Sequence, residues 1–254
     1  MTRLLAILGT LHLAACTCSQ PVVIVGQVID LWGDPVEGAT ITVEEVDGTL
    51  TTDGEGTFTL PMLGDVMITI EKEGFVTRTD PIEPLDTTKS WREPFEIVPI
   101  PPQEGFHAIG PSGYDHLEGL AVRTVSGGTR TWRGVAAPSE VEVEGDPLRV
   151  IFRTSLTEAQ VEAAGIALHR LERVDKAEVP AIDGSTEVTV DLWVSAVTVP
   201  LQFLKLDDRT WAMKSEELAR GTYALVTRNL LDPAAEGFDE LAPELRQVHA
   251  FTVP

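Results

Sequence analysis

Short runs of alternating apolar and polar residues, each followed by a turn-forming cluster, constrain the first hundred residues more than any other feature. The alternation covers residues 39–44, 57–60 and 66–71, and a period of two is typical of a strand with one buried face. We expect Val66, Ile68 and Ile70 to face a core. Gly, Asp and Pro supply the backbone angles of tight turns, and they cluster at residues 33–35, 47–48, 53–56 and 63–65. This pattern predicts a β-sandwich.

Four segments of this region read GQVID at residues 26–30, GDPVEGA at 33–39, TDGEGTF at 52–58 and EGF at 73–75. In this order along the chain they resemble the carboxypeptidase regulatory-like domain. The resemblance implies a transthyretin-like Greek-key β-sandwich of seven strands over residues 22–80. It transfers no catalytic residue, because such domains are modules attached to many unrelated partners. It therefore implies a spacer, or a surface that binds protein or glycan.

The first twenty residues resemble the leader of a bacterial lipoprotein. The apolar stretch 4–13 follows Arg3 and is shorter than the roughly 20 residues that span a bilayer, but it suits the central region of a signal peptide. The motif Leu-Ala-Ala-Cys then ends at Cys16 and resembles the lipobox, whose cysteine thiol accepts diacylglycerol. The resemblance implies a signal peptide over residues 1–15 and a lipidated tether over 16–21. An ordinary secretory signal with a cysteine at its cleavage site is the alternative.

Acylation of Cys16 would make the lipid bilayer the partner at this end of the chain. Each buried methylene is worth about 0.8 kcal/mol, so two or three acyl chains hold a protein stably. Thr17 follows the motif rather than Asp, which in Gram-negative bacteria implies sorting to the outer membrane. Cys18 fits the motif poorly, and we expect it to have no function.

Prolines are concentrated after the last strand signal, and proline disrupts regular strand pairing. These prolines predict a linker over residues 81–103, and its stiffest part is expected at residues 99–102. They are Pro81, Pro84, Pro94, Pro99, Pro101 and Pro102.

Residues 104–254 predict a second β-rich domain, and they resemble no family specifically. Alternation at residues 148–153 and 187–194 predicts strands, as do residues 222–226 and 248–253. One short helix is predicted from Thr157 and Gln160, which can form a capping box, while Leu156 can pack on Val161. Gly165 would end that helix. Two weaker helical turns are expected after Ser215 and at residues 239–247.

Charge and cysteine count exclude several classes of function. The chain has 40 acidic and 19 basic residues, a formal net charge of −21, and a phosphate backbone selects basic surfaces. We therefore expect no nucleic-acid partner, and no attraction to an anionic membrane by charge. Two cysteines cannot form a disulfide scaffold or a cysteine-only zinc site.

Histidines offer two candidate metal sites. His169 and Glu172 have the spacing of a carboxypeptidase zinc pattern that His249 would complete, but this segment reads as extended, and positions three apart on a strand face opposite sides. His107 and His116, with Asp115 and Glu118, form the densest set of ligand types. We interpret this set as a surface turn between two strands, with a metal-dependent hydrolase as the alternative.

Other motifs are weaker. Residues 110–114 superficially resemble a nucleophile elbow, but Tyr114 stands where glycine is needed. The acidic residues Asp47, Asp53 and Glu55 lack the alternating ligand spacing of a calcium loop. Four scattered tryptophans could stack on sugars if exposed, although burial in a core is their default, and these are Trp91, Trp132, Trp193 and Trp211.

The sequence as a whole is typical of a mainly β, membrane-anchored envelope lipoprotein with a structural or protein-binding role and no enzymatic activity. Its expected partners are the bilayer and an envelope protein or glycan, with no cofactor. A carbohydrate-binding surface lipoprotein is the first alternative, and the metal-dependent hydrolase is the second.

The anchor gives the first testable prediction. Cells fed radiolabelled palmitate should label the wild-type chain but not Cys16→Ala, because the thiol at position 16 is the acyl acceptor. The matched control is Cys18→Ala, which should keep the label. Equal labelling of Cys16→Ala and the wild type would contradict acylation at this residue.

Overall fold

The computed structural model describes residues 23–44, 48–61, 66–82, 94–144, 147–227, 229–236, 238 and 241–254. The predicted signal peptide and tether, with Cys16 and Cys18, lie outside these residues. So do Asp47, Trp91 and the turn predicted at residues 63–65.

Seven strands of the described residues form a first sandwich of two sheets. One sheet has the order β4-β1-β7 and the other β3-β2-β5-β6, so the chain changes sheet after β1, β3, β4 and β6. The strands are β1 (Val23–Ile29), β2 (Thr40–Val43), β3 (Thr49–Thr51), β4 (Thr57–Pro61), β5 (Val66–Glu71), β6 (Arg78–Ile82) and β7 (Phe95–Glu96). This confirms the sandwich that the sequence predicted.

The core of the first sandwich lies between its two sheets. Ile68 and Ile70 are fully buried there, as predicted, and Val66 packs against the same cluster while partly exposed. Thr52 is the buried polar residue of this region. Its hydroxyl donates to the Val36 carbonyl at 2.6 Å and accepts from the Ala39 amide at 2.8 Å, so its polar capacity is satisfied.

Gly56 is the glycine on which the loop before β4 depends. Its φ is +70°, a region that side chains rarely adopt, and a Cβ at this position would lie 2.4 Å from the Val28 carbonyl oxygen. Gly54 has no such constraint, since a Cβ there would meet nothing within 4 Å. Phe58, which follows this loop, is buried in the core. Of the two glycines, only Gly56 is required for the conformation of the loop.

Much of the segment predicted to be a linker belongs to the first sandwich. Pro81 and Ile82 lie in β6, and β7 pairs in parallel with β1. Beyond β7 the Val76 amide donates to the Val98 carbonyl and the Ile100 amide to the Gly74 carbonyl, both at 2.8 Å. The linker prediction is therefore wrong for residues 81–82 and 94–100. Proline is tolerated here because β6 is an edge strand, where one side of the backbone needs no partner.

Eleven further strands of the described residues form two larger sheets. Their orders are β15-β16-β12-β8-β9 and β10-β11-β14-β13-β17-β18. The strands are β8 (Gly105–Ile109), β9 (Tyr114–Leu117), β10 (Arg123–Gly127), β11 (Arg130–Val135), β12 (Arg149–Arg153), β13 (Ala167–Ala181), β14 (Gly184–Val199), β15 (Gln202–Lys205), β16 (Thr210–Lys214), β17 (Gly221–Val226) and β18 (Val248–Val253).

The inner faces of these two sheets pack into a second core. Phe152 stacks on Phe106 with ring centroids 4.3 Å apart, and Leu168, Leu225 and Phe251 contribute from the opposite sheet. The mainly β class and the four strands predicted for this half are confirmed.

One predicted helix is confirmed in detail. Helix α1 (Glu158–Ala164) has Thr157 as its N-cap, a capping box with Gln160, and Gly165 in the left-handed conformation at its end. A 3-10 helix at Pro243–Arg246 lies within the second predicted helical turn. The turn predicted after Ser215 is wrong: the Ser215 hydroxyl donates to the Pro200 carbonyl at 3.0 Å, and residues 215–220 contain no helix.

The two glycines of the β4 loop give a matched pair of stability variants. Gly56→Ala should lower the free energy of unfolding by about 2 kcal/mol, because alanine is strained at this φ and its Cβ meets backbone. Gly54→Ala should change it by less than about 0.5 kcal/mol. Urea unfolding of both variants measures the difference, and equal effects would contradict the role given to Gly56.

Candidate functional site

His107 and His116 lie opposite each other on β8 and β9, with ring centroids 4.9 Å apart. They belong to strands, so the surface-turn interpretation is wrong for them, and only residues 110–113 form the turn. Asp115 pairs with Ala108, and its side chain lies on the opposite face of the sheet from His116. Within the described residues, no three His, Cys, Asp or Glu side chains are grouped closely enough to hold a metal ion.

His107 fits a buried structural role. It is 1% exposed, and its Nε2–H donates to the Gln103 carbonyl at 3.0 Å. Burial lowers the pKa of His107 to about 4, aided by the nearby His116 and Arg153 and opposed by the hydrogen bond to Gln103. The imidazole is therefore neutral near pH 7.

The carboxypeptidase-like zinc pattern is not assembled either. His169 lies in β13, which confirms that this segment is extended, and its Nδ1 is 2.7 Å from the Ser195 hydroxyl. Glu172 is exposed. His249 donates from Nδ1 to the Leu117 carbonyl at 2.8 Å and packs on Phe106. These groups hold strands together and do not converge on one point.

The remaining motifs also have local structural roles. The Asp53 carboxylate accepts from the amides of Glu55 at 3.0 Å and Thr57 at 2.8 Å, which closes the loop before β4. The Gly110 amide donates to the Gly113 carbonyl in the β8–β9 turn. Trp211 is buried in the second core, and Trp132 and Trp193 are partly buried.

The outer face of the five-stranded sheet carries a continuous row of side chains across all its strands. The register places five residues side by side in the order Leu204, Ala212, Ile151, His107 and His116. Ile151 is 2% exposed although it points away from the second core. The first sandwich covers it together with His107.

Polar contacts join the first sandwich to the histidine end of this face. Trp32 donates from its indole nitrogen to the Gly110 carbonyl at 2.9 Å, and Tyr114 donates to the Pro99 carbonyl at 2.6 Å. Burial raises the pKa of Tyr114, so its hydroxyl stays protonated and keeps donating. The Arg149 guanidinium contacts the Glu96 carboxylate at 2.6 Å.

The other end of the row remains open and forms a cleft of about 890 Å³ between the sandwiches. Its floor is apolar, built by Ala212 and Leu204 beyond the covered Ile151, and Leu204 is 63% exposed. Residues 77–80, mostly from β6, form the facing wall. This volume lies within the usual range of binding sites.

Charge distinguishes the cleft from the rest of the chain. Its lining has three basic and two acidic side chains on the cleft side, which are Arg78, Arg149, Lys214, Asp80 and Glu96, whereas the whole chain carries −21. Lys205 also belongs to the lining, but it pairs with Trp211 in the register, so its side chain lies on the other face of the sheet. Arg78 contacts Asp80 at 2.6 Å and Lys205 contacts Glu158 at 2.8 Å. Lys214 is exposed, and no ion pair in the described part of the chain involves it.

Two edge strands border this cleft. β6 is the last strand of its sheet and β15 the last of the five-stranded sheet, and edge strands offer backbone donors and acceptors to an added strand. The cleft could not be recognised from the sequence. Its one local signal was a pair of adjacent apolar residues, Phe203 and Leu204, in a strand whose four residues are all exposed.

The low pKa of His107 predicts a specific acid sensitivity. At pH 7.5 and above the imidazole is almost entirely neutral in both folded and unfolded states, so it adds little pH dependence there. As pH falls from 6.5 towards 4, the unfolded state binds a proton that the folded state does not. Near pH 5 this lowers the free energy of unfolding by about 2 kcal/mol.

In His107→Gln the free energy of unfolding should fall less on acidification than in the wild type, by about 2 kcal/mol near pH 5. The reason is that the glutamine amide can still donate to Gln103 but does not titrate. Urea unfolding of the wild type and His107→Gln, near pH 7.5 and near pH 5, measures it. The same loss of stability on acidification in both proteins would contradict the assignment.

Comparison with known proteins supports the family resemblance of the first sandwich. Residues 23–90 match the family model of the carboxypeptidase regulatory-like domain, and no curated protein matches the chain. Among solved structures, the Corynebacterium diphtheriae major pilin SpaA is similar at 10% identity, over 91% of this chain and 68% of the pilin chain, with a TM-score of 0.20. The family match therefore supports the resemblance found in the sequence, and it covers the first sandwich rather than the whole chain.

Proposed function

We propose that this chain is a lipid-anchored, non-enzymatic envelope protein that binds another protein in the cleft between its two sandwiches. The observation that carries the proposal is the cleft itself, an apolar floor beside Lys214, an exposed cation outside the ion pairs of the described residues, on a strongly acidic chain. Such a cation favours a partner that brings an acidic group to the cleft.

The anchor is proposed from the leader. Acylated Cys16 would attach the chain to the outer membrane of a Gram-negative bacterium and leave the sandwiches in the surrounding water. A net charge of −21 would repel them from an anionic bilayer surface. No helix of the described residues is long and apolar enough to cross a membrane.

The shape and chemistry of the cleft favour a polypeptide over a glycan. Its floor is aliphatic, and Phe203 is the one aromatic residue of its lining in the described chain, whereas a sugar site would need an exposed aromatic face. An extended peptide could place apolar side chains on Leu204 and Ala212 while its backbone pairs with β6 or β15. Carbohydrate binding therefore remains the second candidate.

The non-enzymatic part of the proposal rests on the matched domain, which is a non-catalytic module, and on the structural roles of the histidines. His107, His169 and His249 each bond a carbonyl or hydroxyl of their own chain. A metal assay on the purified protein separates this proposal from a metal-dependent hydrolase, which would carry stoichiometric metal.

A photoreactive amino acid introduced at Leu204 of the full chain should form one discrete protein adduct in living cells, since this residue lines the cleft and is exposed. The matched control is Leu50, an exposed leucine on β3 that does not line the cleft. Mass spectrometry identifies the adducts. No adduct from position 204, or the same adducts from positions 204 and 50, would contradict a partner in the cleft.

A further inference from the structure

The two longest strands continue past the six-stranded sheet as a ribbon. β13 pairs with β17 only as far as Leu171, and β14 pairs with β11 only at Trp193 and Val194. Among the described residues, the strand pairing of 174–188 is therefore confined to the ribbon itself. The β10–β11 turn packs closely against one side of the ribbon, because a Cβ built on Gly127 would lie 2.7 Å from the Val188 side chain.

The tip of this ribbon exposes an apolar residue completely. Residues 181–187 are all exposed, and Ile182 has a relative exposure of 102%. Ile182 and Asp183 form the two-residue connection between β13 and β14. Nothing in the part of the chain that the structure describes buries Ile182, whereas a buried isoleucine contributes substantially to association.

Two of the acidic groups around the tip lie outside the ion pairs of the described residues. Glu178 and Glu187 are directly opposite on the two strands, and like charges in this position are destabilising. Lys176 contacts Glu187 at 2.8 Å, but no ion pair of the described residues reaches Glu178 or Asp183. The tip therefore presents one apolar side chain flanked by two unpaired carboxylates.

The cleft has the complementary chemistry. Leu204 is exposed above an aliphatic floor, and Lys214 is an unpaired cation in its lining. The apolar group at the tip can be covered there while its carboxylates approach basic side chains. Both surfaces are free at once, because the tip projects from the six-stranded sheet and the cleft lies on the outer face of the other sheet.

We infer that the ribbon tip of one copy binds in the cleft of a second copy, with Ile182 against Leu204 and Asp183 near Lys214. This inference rests on the proposed function, since it names the partner of the cleft. The tip and the cleft are different surfaces, so the contact is head-to-tail and leaves a free tip and a free cleft at the ends. Such contacts extend into chains unless their rotation closes a ring.

Two variants of the full chain, purified in detergent with two different affinity tags, test this arrangement. Ile182→Asp removes the apolar tip and keeps the cleft, whereas Leu204→Asp places a charge in the cleft and keeps the tip. Each variant should capture its own differently tagged copy about tenfold less than the wild type captures itself. Mixed together, they should capture each other, because one tip and one cleft remain intact. Leu50→Asp is the control and should behave as the wild type.

Self-capture of Ile182→Asp at the wild-type level, or failure of the mixed pair while the wild type associates, would overturn the inference. So would a wild type that does not self-associate.

Crosslinking tests the same contact in a membrane. Full-length protein with a photoreactive residue at position 182 is reconstituted into phosphatidylethanolamine and phosphatidylglycerol vesicles. It should form adducts with cleft peptides of a second copy, and adducts with lipid would overturn the inference. If position 204 crosslinks in cells to a different protein and never to this chain, the inference fails while the proposed function stands.

Discussion

The structure depends on the packing of the first sandwich against the outer face of the five-stranded sheet, which buries part of that face. A sheet in a two-layer sandwich normally turns its outer face to water, yet Ile151 and His107 on that face are buried. The bonds from Trp32 to Gly110 and from Tyr114 to Pro99 fix where the covering begins. Because the covering stops before Leu204, the same contact that joins the sandwiches also leaves a cleft.

Features governed by neighbouring residues could be predicted from the sequence. Helix α1 begins and ends where its capping residues indicated, because a cap is a contact over three or four positions. Strands β2, β4 and β5 of the first sandwich followed from alternation and turn chemistry in the same way. Its family resemblance added the arrangement of those strands into two sheets.

Features that require strand register could not be predicted. The pairing of His107 with His116 was missed because adjacent positions in a sequence say nothing about the strand opposite. The prolines of residues 81–103 indicated a linker, since the sequence does not reveal that β6 is an edge strand, where Pro81 is accommodated, or that β7 returns to β1. The cleft combines both difficulties, because its wall comes from β6 of the first sandwich and its floor from β12, β15 and β16 of the second, which are far apart in the sequence.

The parallel pairing of β7 with β1 has a mechanical consequence. The chain enters the first sandwich at the start of β1 and leaves it after β7, so the two connections emerge at opposite ends of a pair of parallel neighbours. Tension between the amino end and the second sandwich would pull these strands past each other lengthwise. Their hydrogen bonds would then share the force in shear instead of opening one after another, which makes the first sandwich suited to carrying load along the chain.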